Sequence, residues 1–240
     1  MLFSKTIDLH FYTKHKFVYD FAKPKTGQST APEWFRKLPT GSRGLEDGVT
    51  SRSNLRSCPA FSDYHKKAIQ LPLWSDLILQ LAPKGDDSYS WEFSDGLSSI
   101  RTHSNTLLGN YRPDTEFKHL LIQGPWFVEC DKPVDFIMCQ PSWQNFEFPT
   151  MCTSQGVLNF YKQPTLNTQM YIKRTDETQD IFMKHGTPLL DLIPLTEKKI
   201  KVHVHFDKEK HEELASYTPQ VKFTGGYNYT RAALKKCPHK

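Results

Sequence analysis

The sequence predicts a mainly-β protein: a single antiparallel β-sandwich or jelly-roll, with a few short helices near the N- and C-termini. The strongest indication is the segment 156–195, which contains three short alternating runs separated by turns with Gly and Pro. Sixteen prolines against twelve glycines indicate many stiff connections and few long helices, because proline fixes φ and lacks a backbone donor. Without a repeat or a shift in composition, we expect one domain over residues 1–240.

The N-terminal portion, residues 1–56, is predicted to be irregular apart from one strand and one short helix. Apolar and polar residues alternate over 7–12, which indicates a strand. A short amphipathic helix is expected at 32–38, because Pro32 suits a first helical turn and a second proline ends it. The polar, Gly- and Ser-rich segment 41–56 is typical of a loop.

The middle of the chain is predicted to be a helix followed by a strand meander. Helical spacing of apolar residues covers 59–68, and 71–81 is typical of a strand. Further strands are expected at 89–93, before an Asp-Gly turn, at 119–130 and at 135–143. The Gln-Gly-Pro sequence inside 119–130 indicates a bend in that strand.

The C-terminal part is predicted to contain a strand, a short helix and a tail. The clearest alternation of the whole chain covers 198–207, and a charged helix is expected at 208–216. Residues 217–240 are expected to form a basic tail.

Charge and hydropathy narrow the classes of function. The net charge is +5 with both signs interspersed, which does not favour a nucleic-acid groove, because such a groove needs clustered Lys and Arg. No run of 18 apolar residues occurs and the N-terminus lacks the apolar core of an export signal, so we expect neither a membrane span nor secretion. Five widely spaced cysteines, an odd number, then indicate free thiols in a reducing compartment.

The strand at 198–207 carries the sharpest candidate for a metal site. His203, His205 and Asp207 alternate, so a strand places them on one face. Jelly-roll oxygenases and isomerases use such an H-x-H pair, and a third ligand could be one of three distant histidines: His103, His119 or His185. The alternative is an amphipathic strand with an exposed polar face, whose Asp207 caps the next helix. We favour this alternative and expect no cofactor.

The remaining candidate residues are aromatic and suit contacts with other proteins. No P-loop, dinucleotide fingerprint, serine-hydrolase elbow or zinc-protease motif occurs, so no residue is assigned as catalytic. Tryptophan and tyrosine often anchor interfaces, and the candidates are Trp126, Trp143, Tyr227 and Tyr229. The two tyrosines alternate with Lys and Arg, a pattern that could also bind nucleic acid, although a solvated tail explains it too.

Five phrases of the chain resemble a family of uncharacterised proteins from tailed, myovirus-type phages, notably those of marine cyanobacteria. They are APEWFRKLP (31–39), SCPAFSDYHKKAIQLPLWSDL (57–77), HLLIQGPWFVEC (119–130), GVLNFYKQ (156–163) and GTPLLDLIPLTEK (186–198). The resemblance implies a phage protein located in the virion or in the cytoplasm of the bacterial host. We expect other phage proteins, and a second copy of the chain, as partners.

A second similarity, to dUTPase-like β-folds, concerns architecture. GVLNFYKQ followed by GTPLLDLIPL is similar to the closing half of that fold. The resemblance implies a nucleotide-binding protein, but Asn159 stands where that fold carries its catalytic Asp. A neutral amide cannot act as a general base, so hydrolysis of dUTP is not expected.

These observations lead to one expected function and two alternatives. We expect a non-enzymatic phage protein that acts through protein–protein contacts, as a virion component or an assembly accessory. The alternatives are a metal-dependent jelly-roll enzyme that uses His203 and His205, and a nucleotide-binding dUTPase-like protein without the usual catalytic Asp.

Overall fold

The computed structural model shows a chain built mainly from β-strands, which confirms the predicted fold class of antiparallel sheets with a few short helices. It describes residues 6–38, 55–96, 98–102, 112, 115–141, 143–144 and 150–223. Among these residues no helix is long and apolar enough to cross a membrane.

The described elements follow one another in this order. The strands are β1 (Thr6–Thr13), β2 (Lys25–Thr26), β3 (Ile69–Pro72), β4 (Leu77–Leu81), β5 (Tyr89–Phe93), β6 (Ile100–Arg101), β7 (Phe117–Cys130), β8 (Asp135–Cys139), β9 (Met151–Thr153), β10 (Gly156–Asn159), β11 (Thr165–Lys173), β12 (Gln179–Met183), β13 (Pro188–Pro194) and β14 (Lys199–Phe206). The α-helices are α1 (Lys16–Phe21), α2 (Glu33–Arg36), α3 (Pro59–Lys67) and α4 (Lys208–Phe223). Short 3-10 turns cover Gly27–Thr30 and Leu55–Ser57.

The described strands form three sheets. The six-stranded sheet has the order β14-β1-β7-β11-β9, with β6 beside β7, and the five-stranded sheet has the order β10-β8-β13-β3-β2. The three-stranded sheet has the order β12-β4-β5. Every described pair is antiparallel except β1 with β14, which is parallel. A parallel pair needs a long crossover, and here the chain between residues 13 and 199 supplies it.

One large apolar core joins the three sheets. Each sheet contributes fully buried side chains to it, such as Leu9 of β1, Leu192 of β13 and Leu79 of β4. A smaller cluster lies apart from this core, where Ala31, Phe35 of α2 and Phe61 of α3 pack together. The smaller cluster gives the irregular N-terminal portion an anchor of its own.

The turn before β13 depends on glycine. Gly186 has φ +84°, a left-handed conformation that side chains with a Cβ rarely adopt. Its N–H donates to the carbonyl of Leu73 at 2.8 Å, and the N–H of Leu73 donates to the carbonyl of Thr187 at 2.7 Å. These bonds tie the β3–β4 connection to the β12–β13 turn.

Several boundaries differ from the sequence predictions. The strand predicted at 71–81 is two strands, β3 and β4, which belong to different sheets. The helix predicted at 32–38 is shorter, Glu33–Arg36, and the helix predicted at 208–216 continues to Phe223. Helical periodicity does not mark the last turn, so helix ends are poorly defined by sequence.

The strand predicted to bend at Gln-Gly-Pro is continuous as β7, and the irregularity lies in its pairing. The register with β11 shifts between Thr165 and Asn167, opposite residues 124–126. Proline has no N–H for the ladder. A Cβ on Gly124 would stand 2.7 Å from the carbonyl oxygen of Leu166, so the close approach requires glycine there.

Candidate functional site

The outer face of the β1–β14 pair carries a row of histidine and tyrosine rings. β1 buries every second side chain, which leaves Asp8, His10 and Tyr12 on the opposite face. The parallel register sets His10 beside His203 and Tyr12 beside His205. The polar face that the H-x-H sequence predicts on β14 therefore continues onto β1.

The four rings form a nearly parallel row, which we call the histidine ladder: His203, His10, His205 and Tyr12. Ring centroids are 4.6 Å apart from His203 to His10 and 5.3 Å from His10 to His205. The centroid of Tyr12 lies 4.7 Å from that of His205. Interplanar angles along the row are 12°, 21° and 17°.

Two side-chain hydrogen bonds cross from β1 to β14 within the ladder. Nε2 of His203 lies 2.7 Å from Oδ1 of Asp8, and Nε2 of His205 lies 3.0 Å from Nδ1 of His10. The first bond joins an imidazole N–H to a carboxylate. The second joins two imidazole nitrogens, so it forms only when one of the two nitrogens lacks a proton.

The surroundings of His10 and His205 favour the neutral form of both imidazoles. Burial and the neighbouring His203 and His205 lower the pKa of His10. Burial and His203 likewise lower the pKa of His205. The hydrogen bond from His203 lowers the pKa of Asp8, which keeps this carboxylate charged. Asp8 therefore supplies a negative charge at the His203 end of the ladder.

The structure does not assemble the metal site that the sequence suggested. Each Nε2 of His203 and His205 already has a different partner, Asp8 and His10. The ring of His119 packs on Tyr171 instead, with centroids 5.0 Å apart. His185 lies in the β12–β13 turn, and His103 is outside the described residues. Within the described part of the chain, no group of three or more His, Cys, Asp or Glu is placed to hold a metal ion. Metal binding by the pair remains an untested prediction.

The capping interpretation of Asp207 is confirmed. The backbone N–H of Lys210 donates to Oδ1 of Asp207 at 2.9 Å, at the first turn of α4. α4 then packs on the outer face of the six-stranded sheet, beside the ladder. Its Leu214 is fully buried, and its His211 meets the ring of Phe127 with centroids 4.7 Å apart.

The predicted contact residues divide into buried, exposed and undescribed ones. Trp126 is 2% exposed and packs edge-on against Phe11 in the core, so its indole is not on the surface. Trp143 is 41% exposed. Tyr227 and Tyr229 lie outside the described residues.

Trp143 belongs to an exposed aromatic surface that the sequence did not predict as a unit. Trp34 of α2 is 37% exposed, and its indole N–H donates to the carbonyl of Trp143 at 3.2 Å. The two ring centroids are 6.5 Å apart. Beneath them lies Phe61 of the smaller cluster, 4.8 Å from Trp143 and 5.8 Å from Trp34. We call Trp34 and Trp143 the tryptophan surface.

An open cleft of about 440 Å³ lies where three turns and α1 meet. It is lined by Phe17, Trp74, Ser75, Asp76, Ser94, Asp95 and His185. Its carboxylates hold the turns together: Asp76 accepts the N–H of His185 at 2.6 Å, and Asp95 accepts the hydroxyl of Ser98 at 2.7 Å. The fold therefore accounts for these acidic groups as turn-stabilising residues.

A polar group that the sequence did not reveal lies inside the five-stranded sheet. Asp191 of β13 is 1% exposed and accepts hydrogen bonds from Tyr64 at 2.7 Å and from Gln70 at 3.1 Å. Burial raises the pKa of Asp191 although both hydrogen bonds lower it. Burial and the nearby Asp191 raise the pKa of Tyr64, so its hydroxyl stays protonated as a donor.

Asn159, which replaces the catalytic Asp of dUTPase-like folds, lies at the end of β10. Its amide Nδ2 donates to Oδ1 of Asp135 on β8 at 2.6 Å, and the two residues are register partners. The amide thus has a structural partner on the neighbouring strand.

The sequence signal for the ladder was incomplete. His203 and His205 were visible as a pair, whereas His10 had the same alternating context but stood 193 residues earlier, with no indication of its neighbour.

Comparison of the chain with protein-family models, with curated proteins and with solved structures found no match.

Proposed function

We propose that this chain is a phage protein that acts through protein–protein contacts, as a virion component or an assembly accessory. The phage origin is supported by the resemblance of five sequence phrases. The mode of action is supported by one observation above all: the exposed tryptophan surface of Trp34 and Trp143.

The tryptophan surface has the composition of an interface hot spot. Tryptophan is among the residues that contribute most to binding, and burying such a ring on association is worth about 2 kcal/mol or more. The rings are held in place before binding, because Phe61 and Phe35 beneath them are each 4% exposed. A preorganised surface loses little side-chain entropy when a partner covers it.

Charged side chains lie next to Trp34 on α2. Glu33 and Lys37 of α2 form an exposed ion pair with an N–O distance of 2.8 Å. After α2, a guanidinium nitrogen of Arg56 donates to the carbonyl of Leu38 at 2.6 Å. An apolar centre with a charged rim is the arrangement of protein interfaces.

The proposal is tested by crosslinking during infection. A photo-crosslinking amino acid in place of Trp34 or Trp143 is expected to capture a phage protein or a second copy of the chain. The matched control places the same amino acid at Phe182, which is 55% exposed on the three-stranded sheet. Crosslinks at 34 and 143 but not at 182 would support the tryptophan surface as the contact site.

The role in the particle needs a separate measurement. Quantitative proteomics of purified virions and of assembly intermediates is expected to find the chain at a fixed copy number in at least one of them. Absence from both, together with no crosslink from positions 34 and 143, would overturn the proposal.

A further inference from the structure

The open cleft between α1 and three turns has the size and the lining of a site for a small ligand. Its volume of about 440 Å³ lies in the range of pockets that hold small organic molecules. Two aromatic rings line it, Phe17 of α1 and Trp74 of the connection between β3 and β4. The rest of the lining is polar and comes from the turns: Ser75, Asp76, Ser94, Asp95 and His185.

Hydrogen bonds fix this polar lining in one arrangement. The hydroxyls of Ser75 and Ser94 lie 2.7 Å apart, and the Ser75 hydroxyl also accepts the backbone N–H of Asp95 at 3.0 Å. The indole N–H of Trp74 donates to the hydroxyl of Ser98 at 2.6 Å, and that hydroxyl donates to Asp95 at 2.7 Å. A lining that is fixed in advance loses little entropy when a ligand binds.

The carboxylate of Asp76 brings a negative charge to the cleft. Its Oδ1 accepts the backbone N–H of His185 at 2.6 Å, and this neutral donor holds the carboxylate in place without cancelling its charge. Asp76 is partly exposed, and it belongs to none of the ion pairs formed within the described part of the chain. A concave surface strengthens the field of such a charge and raises the local concentration of counter-ions.

The combination of a carboxylate with aromatic rings suits an organic cation. Carboxylate oxygens accept charge-assisted hydrogen bonds from ammonium and guanidinium groups, and the faces of aromatic rings also attract cations. Trp74 is 4% exposed, whereas Phe17 is partly exposed and therefore offers the larger apolar contact. An anionic ligand would be repelled by the Asp76 carboxylate at short range. The lining thus favours a positively charged group on an alkyl chain.

We propose that this cleft binds a small organic cation, an alkylammonium or guanidinium group, with Asp76 as its anionic partner and Phe17 as its apolar contact. Such a group is carried by a free amine or by a Lys or Arg side chain of another protein, and the chemistry of recognition is the same for both. The proposal does not depend on the tryptophan surface, which lies on other elements of the fold.

NMR titration of the unaltered chain tests the proposal with three cations: N-acetyl-lysine amide, N-acetyl-arginine amide and diaminobutane. Each is expected to shift the backbone amides of the cleft residues saturably, with a dissociation constant of about 1 mM, as small ligands of this size allow. N-acetyl-norleucine amide is the matched probe, because it has the lysine alkyl chain without the ammonium group. It is expected to bind at least about tenfold more weakly, as the loss of one charge-assisted bond predicts.

The three cations also distinguish the two sources of the group. Tighter binding of diaminobutane would assign the cleft to free amines, and tighter binding of the two amides would assign it to a side chain of a partner protein. The proposal is overturned if none of the cations binds saturably, if the norleucine amide binds equally well, or if the shifted amides lie outside the cleft.

A charge-removing variant tests the role of Asp76. Asp76→Asn keeps a carbonyl oxygen for the N–H of His185 but removes the charge, so affinity for N-acetyl-lysine amide is expected to fall at least about tenfold. The matched control is Asp180→Asn on β12, an exposed carboxylate that accepts the amide of Gln80 at 2.8 Å outside the cleft. Its affinity is expected to equal that of the original chain. An unchanged affinity in Asp76→Asn would contradict the proposal.

The salt dependence of binding covers the case in which Asp76→Asn does not fold. In the unaltered chain, affinity for N-acetyl-lysine amide is expected to fall as sodium chloride is raised, because salt screens the attraction between the ammonium group and Asp76. A second variant, Phe17→Leu, keeps an apolar side chain but removes the ring, and it is expected to bind the cations several-fold more weakly. Affinity that is independent of salt would overturn the proposal.

Discussion

Polar side chains have opposite environments in two regions, the outer face of the β1–β14 pair and the interior of the five-stranded sheet. The histidine ladder lies on an edge strand, where its rings are partly exposed and its groups bond to each other. Asp191 lies on β13, which has neighbours on both sides, and it is 1% exposed. Its two donors, Tyr64 of α3 and Gln70 of β3, belong to different elements.

The difference shows that the position of a strand decides what a polar cluster does. Asp191 joins three elements in a place that water does not reach, so its loss leaves buried groups unpaired. The ladder joins two strands at a border with solvent, so water can replace much of what is lost. We therefore expect Asp191 to stabilise the whole domain and the ladder to control only its edge.

Among the variants that test this comparison, Asp191→Ala is expected to change the stability of the fold most. Removal of the carboxylate leaves the buried Tyr64 hydroxyl and Gln70 amide without their acceptor, which should lower the free energy of unfolding by about 3 kcal/mol. Urea denaturation, followed by fluorescence, measures this change in the free energy of unfolding. Asp191→Asn is the matched control, and it should cost less because its carbonyl still accepts one bond. An alanine variant as stable as the original chain would remove the contrast with the ladder.

The dependence of stability on pH should have opposite signs in the two regions. The folded-state pKa of Asp191 is raised above 3.8, so its contribution is present below that value and is lost as pH rises through the folded pKa. The pKa values of His10 and His205 are lowered below 6.5, so their contribution is present above that value and is lost as pH falls through the folded pKa.

Urea midpoints measured from pH 3 to pH 8 can separate the two signs. Asp191→Asn should remove the loss of stability that accompanies rising pH. His10→Gln/His205→Gln should remove part of the loss of stability below about pH 6.5. The same residual slope in both variants would show that other groups control the pH dependence.

The smallest effect is expected from Asp8→Asn. The Asp8–His203 bond is short, but the side chains are 38% and 27% exposed, so water should replace most of the interaction and the urea midpoint should move little. Asp20→Asn, which breaks the exposed ion pair with Lys16, is the matched control. Urea midpoints of the two variants should be similar, and a much larger loss for Asp8→Asn would make the ladder a structural cluster like that of Asp191.

Much of the local structure could be read from the sequence. Alternation predicted β1, β4, β5 and β14, with Leu77 and Leu79 buried while Ile78 is 53% exposed. The N-cap role of Asp207 was also visible, because capping depends on residues a few positions away. Such features follow from the neighbours of a residue along the chain.

The candidate sites were only partly visible. Trp143 was named as a contact residue, but its partner Trp34 stands more than a hundred residues earlier in the chain. Trp126 was named on the same grounds and is buried, because residue type alone does not tell an interface tryptophan from a core one.

The sequence by itself determined the mainly-β class, most strands, and the face on which His203 and His205 lie, because these depend on a two-residue period. Only the tertiary structure decided that β14 lies parallel to β1, that His10 completes the ladder, and that Asp191 meets Tyr64 and Gln70. Periodicity fixes the direction of a side chain relative to its own strand. Which strand lies next to it depends on long-range packing of the core, which no local pattern records.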